Sequence, residues 1–243
     1  MPPPASRSSL ETALSGQGLR LLGGWIPTRH DTLPALPDAA TAAVVWMVGQ
    51  VGSECWQAFS GSRLIADGLL DPLDRWSKAI GNDLARQLGG VAVYPSDGPP
   101  YAPFQQWARR AEPLHTSPLM LQIHPHYGLW HAYRFALVVP VLDPQDMATM
   151  AHGPVVSADP CLSCDGKPCL SACPVLAFSL AGYDVAACAA HLHGDAGQDC
   201  VLHGCLARRA CPVGVAYRYE QPHAAFHMAA FTANHRGDDA GRS

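Results

Sequence analysis

The apolar positions of the chain follow two rhythms. Five stretches read as strands closed by glycine or proline: LRLLGGWIP (19–27), TAAVVWMVG (41–49), GGVAVYP (89–95), LMLQIHP (119–125) and YRFALVVPV (133–141). Between them, residues 70–88 carry Leu73, Trp76, Ile80, Leu84 and Leu88 at helical intervals, which predicts an amphipathic helix. Residues 103–112 predict a shorter helix that begins at Pro103. Strands alternating with helices indicate a layered α/β arrangement over residues 1–150. The pattern then changes. Residues 143–160 are rich in turn formers and read as a linker, and 151–243 is a second domain. The end of that domain, HMAAFTANH (227–235), predicts a helix packing back onto the body. The fold class expected is α+β.

Composition narrows the function. Hydrophobic residues make up 48% and charged residues 15%, the balance of a chain with a packed core. The net charge of −4 argues against a broad basic face, so direct binding of a nucleic-acid duplex is not expected. The longest apolar runs, at 42–49 and 135–142, are far shorter than the roughly 20 residues of a membrane span, so no membrane association is expected. The start of the sequence lacks a secretory pattern, and the expected location is cytoplasmic, where thiols stay reduced.

The cysteines carry the chemistry. Of nine, Cys55 stands alone in the first 160 residues beside Trp56 and reads as a packed thiol. The other eight lie between 161 and 211 in two groups, each ending in Cys-Pro. The first runs Cys161, Cys164, Cys169, Cys173-Pro174; the second runs Cys188, Cys200, Cys205, Cys211-Pro212. Disulfides suit the even count but not a reducing compartment. Two zinc sites suit the Cys-x2-Cys pair but leave both Cys-Pro endings unexplained. In two-cluster ferredoxins the cysteine before proline ligates the other cluster. That rule assigns Cys161, Cys164, Cys169 and Cys211 to one four-iron cluster, and Cys173, Cys188, Cys200 and Cys205 to another. His191, His193 and His203 lie within the second arm, either as ligands in place of a cysteine or, with eight thiols for eight places, as surface residues or residues beside the site. Arg208 and Arg209 suit either a balance to an anionic cluster or a solvated turn.

CLSCDGKPCLSACPVLAF (161–178), the lone cysteine of YDVAACAAHL (183–192) and GCLARRACPVG (204–214) resemble the two-cluster half of epoxyqueuosine reductases and, more distantly, corrinoid reductive dehalogenases. They are most similar to small bacterial ferredoxin-like proteins. The resemblance covers about 155–231 and extends more weakly over 103–137. It implies a C-terminal ferredoxin-like domain with two 4Fe-4S clusters that exchanges electrons with a redox partner protein. An alternative it implies is a reductase that passes electrons to a corrinoid or other acceptor held by the N-terminal domain. No Asp-x-His-x-x-Gly corrinoid motif is present, since HPHYG (124–128) lacks the aspartate. No GxGxxG or P-loop pattern supports a nucleotide.

The segment QIHPHYGLWHAYRFAL (122–137) supplies the remaining candidates. His124, Tyr127 and Arg134 would cluster at a bend made by Pro125 and Gly128, as proton donors and an anion contact in a possible acceptor site. An aromatic-rich hairpin with histidines capping its turn accounts for the same residues without a ligand.

Overall fold

The structure, a computed structural model, describes residues 6–151, 153, 156–179 and 182–235. The Pro-rich start at 1–5 and the 236–243 tail lie outside the described residues. Helices and sheets combine in an α+β fold, and the chain divides into two compact units. The first unit comprises 1–113 and 131–157; the second comprises 114–130 and 158–243.

In the first unit α1 (Arg7–Ser15) leads into β1 (Arg20–Trp25) and β2 (Val44–Val51), followed by α2 (Trp56–Ser60), α3 (Pro72–Gln87), β3 (Val91–Val93) and α4 (Phe104–Ala111). The chain then contributes β4 (His115–Thr116) and β5 (Gln122–Ile123) to the second unit and returns as β6 (His131–Val139) and α5 (Pro144–Met150). The sheet order is β1-β2-β6-β3, with every pair antiparallel. Every residue of β2 is buried, so both faces of this strand are covered, as its unbroken apolar run requires. Helix α3 packs on β6 and β3 through Leu73, Trp76, Ser77, Gly81, Leu84 and Ala85, close to the face expected, although Ile80 stays partly exposed. Helix α4 packs on β1 and β2, with Phe104, Trp107 and Ala108 buried. Trp46 and Phe135 are both fully buried, and burial of an aromatic ring of this size contributes about 1.5–3 kcal/mol.

The expected linker begins as a helix. Asp143 caps α5 by accepting from the Gln145 N–H, and Pro144 occupies the first turn, a start signal written in the sequence.

The second unit is built from α6 (Pro168–Ser171), a β7–β8 pair (Phe178–Ser179 with Gly182–Tyr183), α7 (Val185–His193), α8 (Gln198–His203), α9 (Leu206–Arg209) and α10 (Gln221–Asn234). Helix α10 packs on α8 and α7, and α6 packs on α9. The expected strand at 119–125 shrinks to Gln122–Ile123. It pairs with His115–Thr116 in a small hairpin whose 117–121 loop includes Met120 at φ +60. Leu119, Ile123 and Leu129 from this segment share one apolar cluster with Cys169, Cys173, Ala177, Ala207 and Cys211. That burial is why 114–130 belongs with the later part of the chain and not with the residues on either side of it.

Candidate metal centre

The cysteines are positioned by short helices and by the turns at their ends. Cys169 lies in α6, Cys188 in α7 and Cys200 in α8; Cys205 is the N-cap of α9, and Cys173 and Cys211 each follow a four-residue helix, α6 and α9. Helices this short leave many N–H groups without an intrahelical partner, and the sulfurs receive several of them. The Ala177 N–H donates to Cys173 Sγ at 3.4 Å. Cys205 accepts from the Arg208 and Ala207 N–H groups, Cys211 from Val213, Cys200 from Leu206 and Cys169 from Leu170.

The eight thiols divide into two sets. Cys161, Cys164, Cys169 and Cys211 line one cavity of about 20 Å³. Cys173, Cys188, Cys200 and Cys205 line a second of about 430 Å³. The two sets are also separate electrostatic neighbourhoods. Burial, then Asp159 and the charges of Cys211, Cys169 and Cys164, push the Cys161 thiol up to about 11. Burial likewise raises Cys205, with Cys188 and Cys173 adding repulsion. All nine cysteines are free thiols. Among the described residues no three His, Cys, Asp or Glu side chains are drawn together as the site of a single metal ion.

The Leu119 side chain, 4% exposed, borders both cavities. Lys167 lines the smaller one and donates from Nζ to the Cys161 carbonyl at 2.8 Å, which brings a positive charge beside four thiols. Tyr183, which the sequence reading passed over, lines the larger one and donates its hydroxyl proton to Cys188; burial, the Cys188 bond and the surrounding thiols push its pKa up. Its position five residues ahead of a lone cysteine was the available signal.

The histidines and arginines of the second arm separate. His191 lines the larger cavity with its Nε2 buried and without a hydrogen-bond partner. His193 Nε2 meets the His235 carbonyl at 3.0 Å, and His203 pairs with Asp199 at 3.1 Å. Arg208 lines the larger cavity too. It donates to the Leu129 carbonyl at 3.1 and 2.5 Å and lies over the Trp130 and Tyr219 rings, each 4.5 Å away. Arg209 pairs with Asp199 and donates to the Gly204 carbonyl.

The possible acceptor site is not brought together within either unit. His124 and Tyr127 fall in the second unit and Arg134 in the first. Arg134 is held by Asp74 at 2.5 Å and by Ser77 Oγ at 3.1 Å, an internal ion pair rather than an open anion contact. His124 serves its own turn: its Nδ1 accepts from the His126 and Tyr127 N–H groups at 3.0 and 3.1 Å, and its ring stacks on Tyr127 at 4.4 Å. Burial, with the His126 charge adding to it, lowers its pKa to about 4. Cys55 is 1% exposed and donates to Gln50 Oε1 at 3.0 Å, a packed thiol as expected; burial pushes its pKa up to about 11.

No protein-family model matches the chain, and no curated protein matches it. Among the described residues no helix is long and apolar enough to cross a membrane.

Proposed function

We propose that the protein transfers electrons through two four-iron clusters, one on Cys161, Cys164, Cys169 and Cys211 and the other on Cys173, Cys188, Cys200 and Cys205. The observation that carries this reading is the partition of the eight thiols into two cavities, with the cysteine of each Cys-Pro step lining the cavity of the other group. Sequence neighbours alone would put Cys173 with Cys169 and Cys211 with Cys205. A four-iron cluster is bound at its corners, so its thiolates border a volume instead of meeting at a point, and the thiols here border two volumes.

The donor set suits such clusters in kind and number. Such a cluster, when bound, accepts and releases one electron at a time. The larger cavity has ample room. The smaller measures about 20 Å³, so its four thiols, free of disulfides, must part to accept a cluster. Burial and repulsion from neighbouring thiols favour the protonated form of Cys161 and Cys205, so loading at these thiols releases protons and is favoured by rising pH. The N–H groups of Leu170, Leu206, Ala207, Arg208 and Val213, together with Lys167, then offset the negative charge that the thiolates acquire.

Anaerobic purification followed by iron and acid-labile sulfide analysis tests the reading, with about eight of each per chain expected for two four-iron clusters. Cys211→Ala and Cys161→Ala are expected to remove the same EPR signal, and Cys173→Ala and Cys205→Ala the other. Zinc without sulfide sinks the proposal; a shared phenotype of Cys173→Ala and Cys161→Ala sinks the crossed assignment.

A further inference from the structure

The smaller cavity contains a polar group with nothing to bond. Ser117 is 5% exposed, and its Oγ is buried without a hydrogen-bond partner while it lines the cavity of Cys161, Cys164, Cys169 and Cys211. Its backbone is satisfied: the N–H donates to the Leu121 carbonyl and its own carbonyl accepts from Met120, both at 2.9 Å. The hydroxyl alone is left over. A buried hydroxyl without a partner loses its hydration with nothing in return, so an unmatched one in a packed turn calls for an explanation. Apart from Ser117 itself and the four cysteines, no residue that lines this cavity carries a side-chain acceptor. The side-chain acceptors on this wall are therefore the four cysteine sulfurs.

We infer that Ser117 donates its hydroxyl proton to a sulfur of the cluster in the smaller cavity and thereby raises the reduction potential of that cluster. This inference rests on the function proposed above. A four-iron cluster gains negative charge when reduced, so a donor aimed at its sulfurs stabilises the reduced form more than the oxidised form. Ser117 is a positioning and tuning residue and transfers no atom. The side chain reaches this cavity because the β4–β5 hairpin places its loop there, from a stretch more than 40 residues before the first ligand thiol in the sequence.

Ser117→Ala in the full chain, purified anaerobically, separates the possibilities. Iron and sulfide contents should equal those of the unaltered protein. A redox titration followed by EPR should show the equilibrium for reducing the first cluster weakened about tenfold, which is about 59 mV for one electron, with the second cluster unmoved. Ser117→Thr, which keeps the hydroxyl, should restore most of the difference. An alanine variant with both clusters and unchanged potentials overturns the inference. If that variant fails to assemble, pulsed EPR of the unaltered reduced protein decides: brief exchange into D2O should introduce a deuteron coupled to the first cluster, and its absence overturns the inference as well. A wild-type protein with no acid-labile sulfide refutes the underlying reading instead, so the two failures are distinguishable.

Discussion

Replacing Gly214 by alanine tests how the 124–128 turn holds the chain that carries Cys211. Gly128, at φ +60, and Gly214, at φ +70, face one another. A Cβ on Gly214 would run into the Tyr127 carbonyl and stand 2.7 Å from the Gly128 nitrogen, and a Cβ on Gly128 would run into the Val213 carbonyl. The obstructing atoms are backbone, so no side-chain rotation relieves the overlap. Gly166 supplies a matched control in the same unit, at φ +67 with nothing within 4 Å of a Cβ. Alanine in either position carries the left-handed penalty of roughly 1–2 kcal/mol. Only at Gly214 must two backbones also part, which as overpacking adds about 1–3 kcal/mol. At about 2–4 °C per kcal/mol, Gly166→Ala should lower the melting temperature by a few degrees and Gly214→Ala by about twice as much. The extra loss should fall on the smaller cavity, because Val213 lines it and Cys211 lies just upstream. Circular dichroism melts paired with iron analysis read both effects. Melting temperatures for the two variants within about 1 °C of each other, with equal iron, would refute the close-approach argument.

Two further expectations concern pH. Burial raises the Glu112 carboxyl, although the Tyr133 hydroxyl donated to it at 2.7 Å and the Arg7 charge pull the other way, so the folded protein binds this proton more tightly than the unfolded chain. Its contribution is present below the ordinary glutamate range and is lost as pH rises through the folded value; Glu112→Gln should flatten that slope in melts across acid to neutral pH, and an unchanged slope contradicts the assignment. His124 has the opposite sign. With its pKa lowered to about 4 from 6.5, its neutral ring supports the turn above pH 6.5 and that support is lost as pH falls toward 4. The loss should be on the order of 1 kcal/mol, discounted because the ring is only partly buried, and His124→Asn, which keeps an acceptor but does not titrate, should remove it.

Much of this was legible in the sequence where one short-range cause dominates. The apolar runs of β2 and β6 and the spacing of Leu73, Trp76 and Leu84 in α3 exceed any local competitor, and the elements form there. The paired Cys-Pro endings suggested a crossed assignment, and Cys173 and Cys211 each line the cavity of the other group. Contacts distant along the chain were not legible. The Asp74 partner of Arg134 lies 60 residues away, so the arginine looked available for an anion when it was not. The stretch at 119–125 looked like a strand, but Pro118 and the left-handed Met120 confine pairing to two residues and turn the rest into the loop that supplies Ser117 and Leu119. Nothing in the local pattern of 114–130 reveals that its apolar residues pack with cysteines 30 or more positions later.

The second unit is threaded through the first in sequence order, since the chain enters it at 114, leaves it at 131 and re-enters at 158. On a ribosome, the hairpin loop that borders both cavities emerges well before the first of the eight thiols, and it must wait for them while β6 is still being made. No single cut divides the protein into two complete pieces. A fragment beginning at 158 would carry all eight thiols and lack Ser117, Leu119 and Ile123, which wall them in. On the function proposed above, cluster loading on such a fragment should be poor even though all eight thiols are present, and adding the 114–130 segment as a separate peptide is the direct way to recover it.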